Sequence, residues 1–106
     1  MLILKLIKNI KKRSENMQTK QINVYGIVQG VGFRWSTQAL AQQMGVHGNV
    51  KNNADGSVTI IAQAEPLKLA EFISKVKASP TPAGHVDRIE VTDIEEKPLH
   101  SFNVIF

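Results

Sequence analysis

Apolar residues recur along the chain at two spacings, and each spacing predicts a different kind of element. Alternation of apolar and polar positions, interrupted by glycine and other turn residues, is typical of half-buried strands. The segments with this pattern are 21–28, 46–51, 57–63, 85–94 and 101–106. Because successive side chains of a strand point to opposite faces, Phe102, Val104 and Phe106 are expected on one face of the last strand.

Apolar residues one helical turn apart predict two helices. The first covers residues 34–44, where Leu40 and Met44 lie one turn apart and Gly45 follows as the residue that ends the helix. The second begins near Pro66, which suits a first helical turn. Its apolar stripe consists of Leu69, Phe72, Ile73 and Val76.

The order of these elements is β-α-β-β-α-β, with two strand patterns at the end of the chain. Two amphipathic helices can cover one face of an antiparallel sheet. The sequence therefore predicts an α+β protein with a ferredoxin-like α/β sandwich, in which both helices pack on one face of a mostly antiparallel sheet. Enzymes, RNA-binding modules and metal carriers share this fold, so function has to be argued from particular residues.

The net charge of +4 is concentrated at the start of the chain. Five of the 13 Lys and Arg residues lie in residues 1–16, with one of the 9 acidic residues. Residues 17–106 carry equal numbers of bases and acids, which argues against nucleic acid as a partner, because binding a phosphate backbone requires clustered cations. Single-stranded RNA binding on the sheet face remains a weaker alternative, since Tyr25 is the one aromatic residue in the first and third strands.

Residues 1–16 are expected to be a basic N-terminal extension, disordered or helical and not essential, ahead of a domain formed by residues 17–106. Their charge follows a short apolar run, which fits neither a secretory signal nor a membrane span. Three interpretations stay open: the protein starts at Met17, the segment is a disordered tail, or it is a weak membrane-surface anchor. No stable membrane association is expected. The chain has no cysteine, which favours a cytoplasmic location.

A glycine-rich segment between the first strand and the first helix carries the candidate chemistry. It runs from Gly26 to Arg34 with the sequence GIVQGVGFR. Glycines allow backbone N–H groups to converge, and amides at a helix N-terminus bind anions. Arg34 can add a planar fork that matches two phosphate oxygens. The segment lacks the Gly-Lys-Ser/Thr of a nucleotide P-loop, and Trp35 replaces the third glycine of a dinucleotide motif. It predicts a phosphate-binding loop, with a mere tight turn as the alternative.

Residues 28–34 (VQGVGFR) resemble the signature of the acylphosphatase family, and the resemblance extends over about 85 residues, including 48–52 (GNVKN). It implies an enzyme that hydrolyses acyl phosphates to a carboxylate and inorganic phosphate, without metal or cofactor. It also implies that Arg34 binds the substrate phosphate and that Asn52 positions the attacking water. The loop residues whose backbone would hold the phosphate are Gln29, Gly30, Val31, Gly32, Phe33 and Arg34.

A monomer is expected, because nothing in the sequence demands more, and inorganic phosphate is expected to be both the product and a competitive inhibitor. Two residues depart from the family pattern. Ala64 stands where relatives usually have glycine, and Trp35 is an uncommon neighbour of the arginine. These departures bear on loop geometry and substrate preference.

The chemistry of acyl phosphates is compatible with so few functional groups. The leaving carboxylate has a conjugate acid with a pKa of about 4 to 5, so it departs without a general acid. Asn52 has one acceptor and two donors with which to hold a water molecule. Strand alternation places Asn52 on the same face as Val50, which suits a site residue; the alternative is a turn asparagine beside Asn53.

A non-catalytic acylphosphatase-like module, which binds an anion or docks to a larger enzyme, is the alternative function. Such a module could retain Arg34 without Asn52, whereas this chain has both. The three histidines, His47, His85 and His100, are spread over separate elements, and no cysteine accompanies them. No metal site is therefore expected.

Overall fold

A computed structural model describes residues 16–106 of the 106-residue chain. The predicted extension at 1–16 lies outside the described residues, apart from its last position. Five strands and two helices follow one another as β1 (Gln18–Ile27), α1 (Phe33–Met44), β2 (His47–Asn52), β3 (Val58–Ala64), α2 (Pro66–Lys77), β4 (His85–Ile94) and β5 (Phe102–Ile105). Each predicted element is present, with its ends shifted by at most three residues.

The five strands form one sheet in the order β4-β1-β3-β2-β5. Neighbouring strands are antiparallel except for β2 and β5, which run parallel. Buried residues of both helices join those of one sheet face in a single core. The predicted ferredoxin-like sandwich, with two helices on a mostly antiparallel sheet, is confirmed.

The strand register brings two distant segments together. Val58, the first residue of β3, pairs with Val24 of β1 on one side and with Asn52 of β2 on the other. The last residues of β1 and β2 therefore meet at the same end of the sheet. The loop that follows β1 and the side chain of Asn52 are placed beside each other by this pairing.

Alternate residues of the strands and one stripe of each helix build the core. Burial of a large aliphatic or aromatic side chain contributes about 1.5–3 kcal/mol each. The largest fully buried side chains are Phe33, Phe72, Ile22, Ile60 and Leu69. In α1 the buried stripe is Phe33, Thr37 and Ala41, whereas Leu40 and Met44 are half-buried and pack against the edge of the core.

Gly48 of the GNVKN segment has a packing role. It has a φ of 150°, and a Cβ at this position would overlap the carbonyl oxygen of Ile61 on β3. Any other residue would push apart β2 and β3, which carry Asn52 and its partner Val58. The glycine thus serves the close approach of two strands.

The last strand ends one residue before Phe106. Phe102 is buried and Val104 half-buried, but β5 ends at Ile105 and the Phe106 side chain is 87% exposed. Its ring packs on the side chains of Arg34 and Trp35 at the start of α1.

Within residues 16–106, neither helix combines the length and the apolar character that crossing a bilayer requires.

Candidate active site

The two predicted functional side chains, Arg34 and Asn52, line one small cavity of about 140 Å³. The glycine-rich loop and the start of α1 form the rest of its wall. The lining residues are Val28, Gln29, Gly30, Gly32, Phe33, Arg34, Trp35 and Asn52. Five of the six predicted loop residues therefore border the cavity, and Val31 does not.

The loop reaches this shape through two glycines. Gly30 and Gly32 have φ values of 75° and 77°, in the left-handed region that residues with a Cβ rarely adopt. Gly32 is also the N-cap of α1, so the chain enters the helix directly from the loop.

The N-terminus of α1 provides backbone donors. The first helical hydrogen bond runs from the N–H of Ser36 to the carbonyl of Gly32, at 3.0 Å, so the amides of residues 33–35 have no partner within the helix. Gly32 offers no capping side chain, and the first turn contains no acidic residue. The positive end of the helix dipole, with its amides, is thus available to an anion.

Arg34 is half-buried and held at two points. Its Nη1 donates to the carbonyl oxygen of Ile105 at 3.0 Å, and its guanidinium carbon lies 5.0 Å from the centroid of the Phe106 ring. The ion pairs found within residues 16–106 do not include Arg34. Because one Nη1 contact engages only part of the five-donor guanidinium, the group retains donors for a ligand.

Asn52 and Asn53 have different environments. Asn53 belongs to the β2–β3 turn: its side-chain amide donates to Ser57 Oγ at 3.0 Å and to Thr59 Oγ1 at 2.8 Å. Asn52 instead ends β2, is exposed, and borders the cavity. The turn role considered for Asn52 is therefore filled by its neighbour.

The side chain of Gln29 connects the loop to this turn. Its Nε2 donates to the carbonyl oxygens of Asn53 and Ser57, each at 2.8 Å. The same Ser57 carbonyl accepts the backbone N–H of Asn53 at 2.8 Å. The sequence pattern pointed only to the backbone of Gln29, because a contact across 24 and 28 residues leaves no local signal.

A carboxylate stabilises the same turn. The Ser57 hydroxyl, and next the Ser57 backbone N–H, donate to Asp55 and hold the pKa of its carboxyl below the usual 3.8. Because the folded-state pKa is lowered, the hydrogen bonds to the Asp55 carboxylate contribute fully to stability above about pH 4. This contribution is lost as the pH falls through the lowered pKa. The Asp55 carboxylate thus makes its full contribution to the turn beside Asn52 at neutral pH.

Val31 faces away from the cavity and anchors the loop from behind. Its side chain packs against the core, and its carbonyl oxygen accepts a hydrogen bond from Thr81 Oγ1 at 3.2 Å. In a trans peptide the carbonyl and the following N–H point in opposite directions. Thr81 therefore fixes the peptide plane whose N–H belongs to Gly32, a cavity residue. No sequence pattern marked Thr81.

Three larger hollows differ in chemistry from this cavity, and the smallest of them, of about 260 Å³, is lined mainly by residues of 17–19 and 96–100 with His47 and Gln63. One, of about 450 Å³, is lined by Asp93, Glu95 and Glu96, which would repel a phosphate. Another, of about 410 Å³, lies against α1 and the end of α2 and has Lys75 as its one charged lining residue. The volume of a hollow therefore does not identify the candidate site. The smaller cavity is the candidate because backbone amides and Arg34 converge on it. Among the described residues, no group of three or more His, Cys, Asp or Glu is arranged to hold a metal ion.

The family model for acylphosphatase matches residues 20–104. The chain belongs to the acylphosphatase family. An acylphosphatase of Lactobacillus gasseri is 50% identical over 91 residues, which cover 85% of this chain and 100% of the relative.

Solved acylphosphatase structures agree with this assignment. The crystal structure of acylphosphatase from Bacillus subtilis has a TM-score of 0.80 at 36% identity and covers 84% of this chain and 99% of that one. The structure of an acylphosphatase from Coxiella burnetii has a TM-score of 0.83 at 26% identity, covering 89% of this chain and 98% of that one.

The two departures from the acylphosphatase pattern occupy different places. Ala64 is buried at the last position of β3, at the opposite end of the strand from Val58 and the cavity. Trp35 borders the cavity and is 55% exposed. Only the tryptophan can influence what binds there.

The substitution Gln29→Met is expected to loosen the contact between the loop and the β2–β3 turn. It preserves side-chain length but removes both hydrogen bonds, so the free energy of unfolding should fall by about 1–3 kcal/mol in a urea titration. Gln42→Met, at an exposed position of α1, is the matched control and should change stability by less than about 0.5 kcal/mol. Equal effects of the two substitutions would contradict the bridging role.

The substitution Thr81→Val is expected to weaken phosphate binding. It leaves the Val31 carbonyl without its partner and releases the peptide plane of Gly32, so affinity for inorganic phosphate should fall about 3- to 10-fold in calorimetric titration. Thr81→Ser retains the hydroxyl and should bind phosphate nearly as the wild type does. If Thr81→Val bound phosphate as tightly as Thr81→Ser, the anchoring role would be wrong.

Proposed function

We propose that this member of the acylphosphatase family hydrolyses acyl phosphates with the phosphoryl group held at the start of α1 and the attacking water positioned by Asn52. The reaction class follows from the family: the chain is a hydrolase that acts on acid anhydrides containing phosphorus. What we propose here is the role of each residue in that reaction. One observation supports them most strongly, namely that Arg34, the uncapped helix N-terminus and Asn52 line the same cavity.

Phosphate binding rests on donors that are fixed before the substrate arrives. The left-handed glycines and the helix start orient backbone amides, and the contacts with Ile105 and Phe106 restrain the Arg34 side chain. Preorganised donors stabilise developing charge without reorganisation during the reaction. Positioning and charge neutralisation are the main demands of phosphoryl transfer, because its transition state spreads negative charge over the phosphoryl oxygens.

The bond that breaks joins phosphorus to the acyl oxygen. Water attacks phosphorus, the carboxylate leaves with the electron pair, and the water proton passes to a phosphoryl oxygen of the substrate, as the family implies. The carboxylate needs no proton because its conjugate acid has a pKa of about 4 to 5. The scheme therefore requires no general acid, metal ion or cofactor.

Asn52 suits the positioning of water. Its side-chain carbonyl can accept a hydrogen bond from the water, and its amide can donate one to the water or to a phosphoryl oxygen. It stands at the end of a strand whose register with β3 is fixed, and the adjoining turn is held by Gln29 and Asn53. An amide carried on a restrained backbone limits the freedom of the attacking water, and this lowers the entropic part of the barrier.

We also propose a monomeric, cytoplasmic enzyme that its product inhibits. Inorganic phosphate presents the same oxygens as the transferred group and competes for the same donors. The lack of cysteine is compatible with a reducing compartment.

Arg34→Ala should abolish measurable hydrolysis of benzoyl phosphate, followed by its ultraviolet absorbance. Loss of one stabilising donor costs about 10²–10³ in kcat, and loss of a charged, multidentate partner should cost at least as much. The inhibition constant of inorganic phosphate should rise as well. Arg88→Ala is the matched control, because Arg88 also stacks on an aromatic ring, that of Tyr25, but on β4 and outside the cavity. Wild-type turnover by Arg34→Ala would refute its role.

Asn52→Ala should lower kcat by about 10²-fold while the inhibition constant of inorganic phosphate changes little, because the water is lost and the phosphate donors remain. Asn103→Ala, at an exposed asparagine of the neighbouring strand β5, should retain wild-type kinetics. A large rise in the phosphate inhibition constant at unchanged kcat would assign Asn52 to phosphate binding instead. Phosphate affinity without hydrolysis in the wild type would favour the non-catalytic module.

A further inference from the structure

The cavity is small for a whole acyl phosphate. Its volume of about 140 Å³ lies below the roughly 300–1,000 Å³ of pockets that enclose small organic ligands. With the phosphoryl group among the amides and Arg34, the organic part of the substrate has to extend over the rim. The residues on that rim therefore decide which acyl groups bind well.

The rim carries an aromatic pair. Of the aromatic side chains in residues 16–106, the two that are exposed are Trp35 and Phe106, at 55% and 87%. Their ring centroids lie 5.7 Å apart with planes inclined by 52°, a favourable arrangement for two aromatic rings. Phe33, Phe72 and Phe102 are buried in the core.

This pair is continuous with the phosphate-binding donors. Trp35 borders the cavity, and the guanidinium of Arg34 lies over the ring of Phe106. The Arg34 side chain thus lies between the cavity proposed for the phosphoryl group and the ring of Phe106 in the aromatic pair. Apolar area that stays exposed in the unbound protein is characteristic of a binding surface.

Resting on the proposed function, we propose that Trp35 and Phe106 form a subsite for the organic part of the acyl group. The subsite favours acyl phosphates with an aromatic or extended apolar group over short ones such as acetyl phosphate. Its contacts are made in both the bound substrate and the transition state. They lower KM for aromatic substrates and leave kcat largely unaffected.

Steady-state kinetics with benzoyl and acetyl phosphate tests the subsite. In Trp35→Ala the ratio of kcat/KM for benzoyl to that for acetyl phosphate should fall about 10-fold, mainly through KM for benzoyl phosphate. Trp35→Phe should restore most of the ratio, and Phe106→Ala should lower it. Leu67→Ala removes an 88% exposed apolar side chain at the start of α2, where no residue borders the cavity, and should leave the ratio unchanged.

The outcomes separate the two proposals. An unchanged ratio in both Trp35→Ala and Phe106→Ala, with turnover retained, overturns the subsite and leaves the hydrolase intact. Failure of the wild type to hydrolyse either substrate overturns the proposed function and the subsite with it.

A binding measurement without turnover gives a second test. Trp35 is the only tryptophan of the chain, so its fluorescence reports directly on the rim. Phenylphosphonate should alter this fluorescence and bind about 10-fold more tightly than methylphosphonate, and Leu67→Ala should preserve the difference. Equal affinities would overturn the subsite. So would fluorescence that changes with protein concentration and not with phenylphosphonate, because a second copy of the chain would then cover the aromatic pair.

Discussion

The pairing of Val58 with both Val24 and Asn52 is the constraint on which the candidate site depends. It places the end of β1 and the end of β2 at one end of the sheet, so that the loop after β1 reaches the asparagine that ends β2. A shift of either strand by one residue would turn the side chains to the opposite face and carry Asn52 away from the loop. Gly48 helps to maintain this register, since only glycine fits against the Ile61 carbonyl where β2 pairs with β3.

The chemistry of the proposed site resides largely in backbone groups, and this gives its supporting contacts their importance. An amide donor cannot be tuned by changing its own side chain, so its direction depends on whatever holds the peptide. Gln29 ties the loop to the turn that follows Asn52, and Thr81 holds the carbonyl of Val31 from behind. These two side chains fix the geometry of the backbone amides without contacting the phosphate themselves in the proposed site.

Local patterns predicted the fold well. Alternating apolar and polar positions predicted the strands, and apolar residues at helical spacing predicted α1 and α2. The glycine-rich segment predicted the loop between β1 and α1, where Gly30 and Gly32 have left-handed backbones. The patterns failed where a residue's environment comes from distant parts of the chain. The apolar spacing of Leu40 and Met44 did not indicate that Thr37 is buried in α1 beside Phe33 and Ala41. The contacts of Phe106 with Arg34 and Trp35 join residues about 70 positions apart, so no local pattern indicated them.

The sequence motifs likewise predicted Arg34 and Asn52 as site residues but could not predict what surrounds them. Choosing between Asn52 and Asn53 required the hydrogen bonds of the turn, which commit Asn53 to Ser57 and Thr59. The contact of Arg34 with the Ile105 carbonyl depends on the position of β5 beside β2, and no spacing along the chain encodes it.

The central claim is that backbone amides at the start of α1, together with Arg34, hold a phosphate group. An NMR titration of the full chain with inorganic phosphate tests it most directly. The largest amide shifts are expected in residues 30–35, together with shifts of the Arg34 Nε and Asn52 side-chain resonances, and all of them should saturate with one affinity. Largest shifts in residues 1–16, or in the hollow lined by Asp93, Glu95 and Glu96, would contradict it.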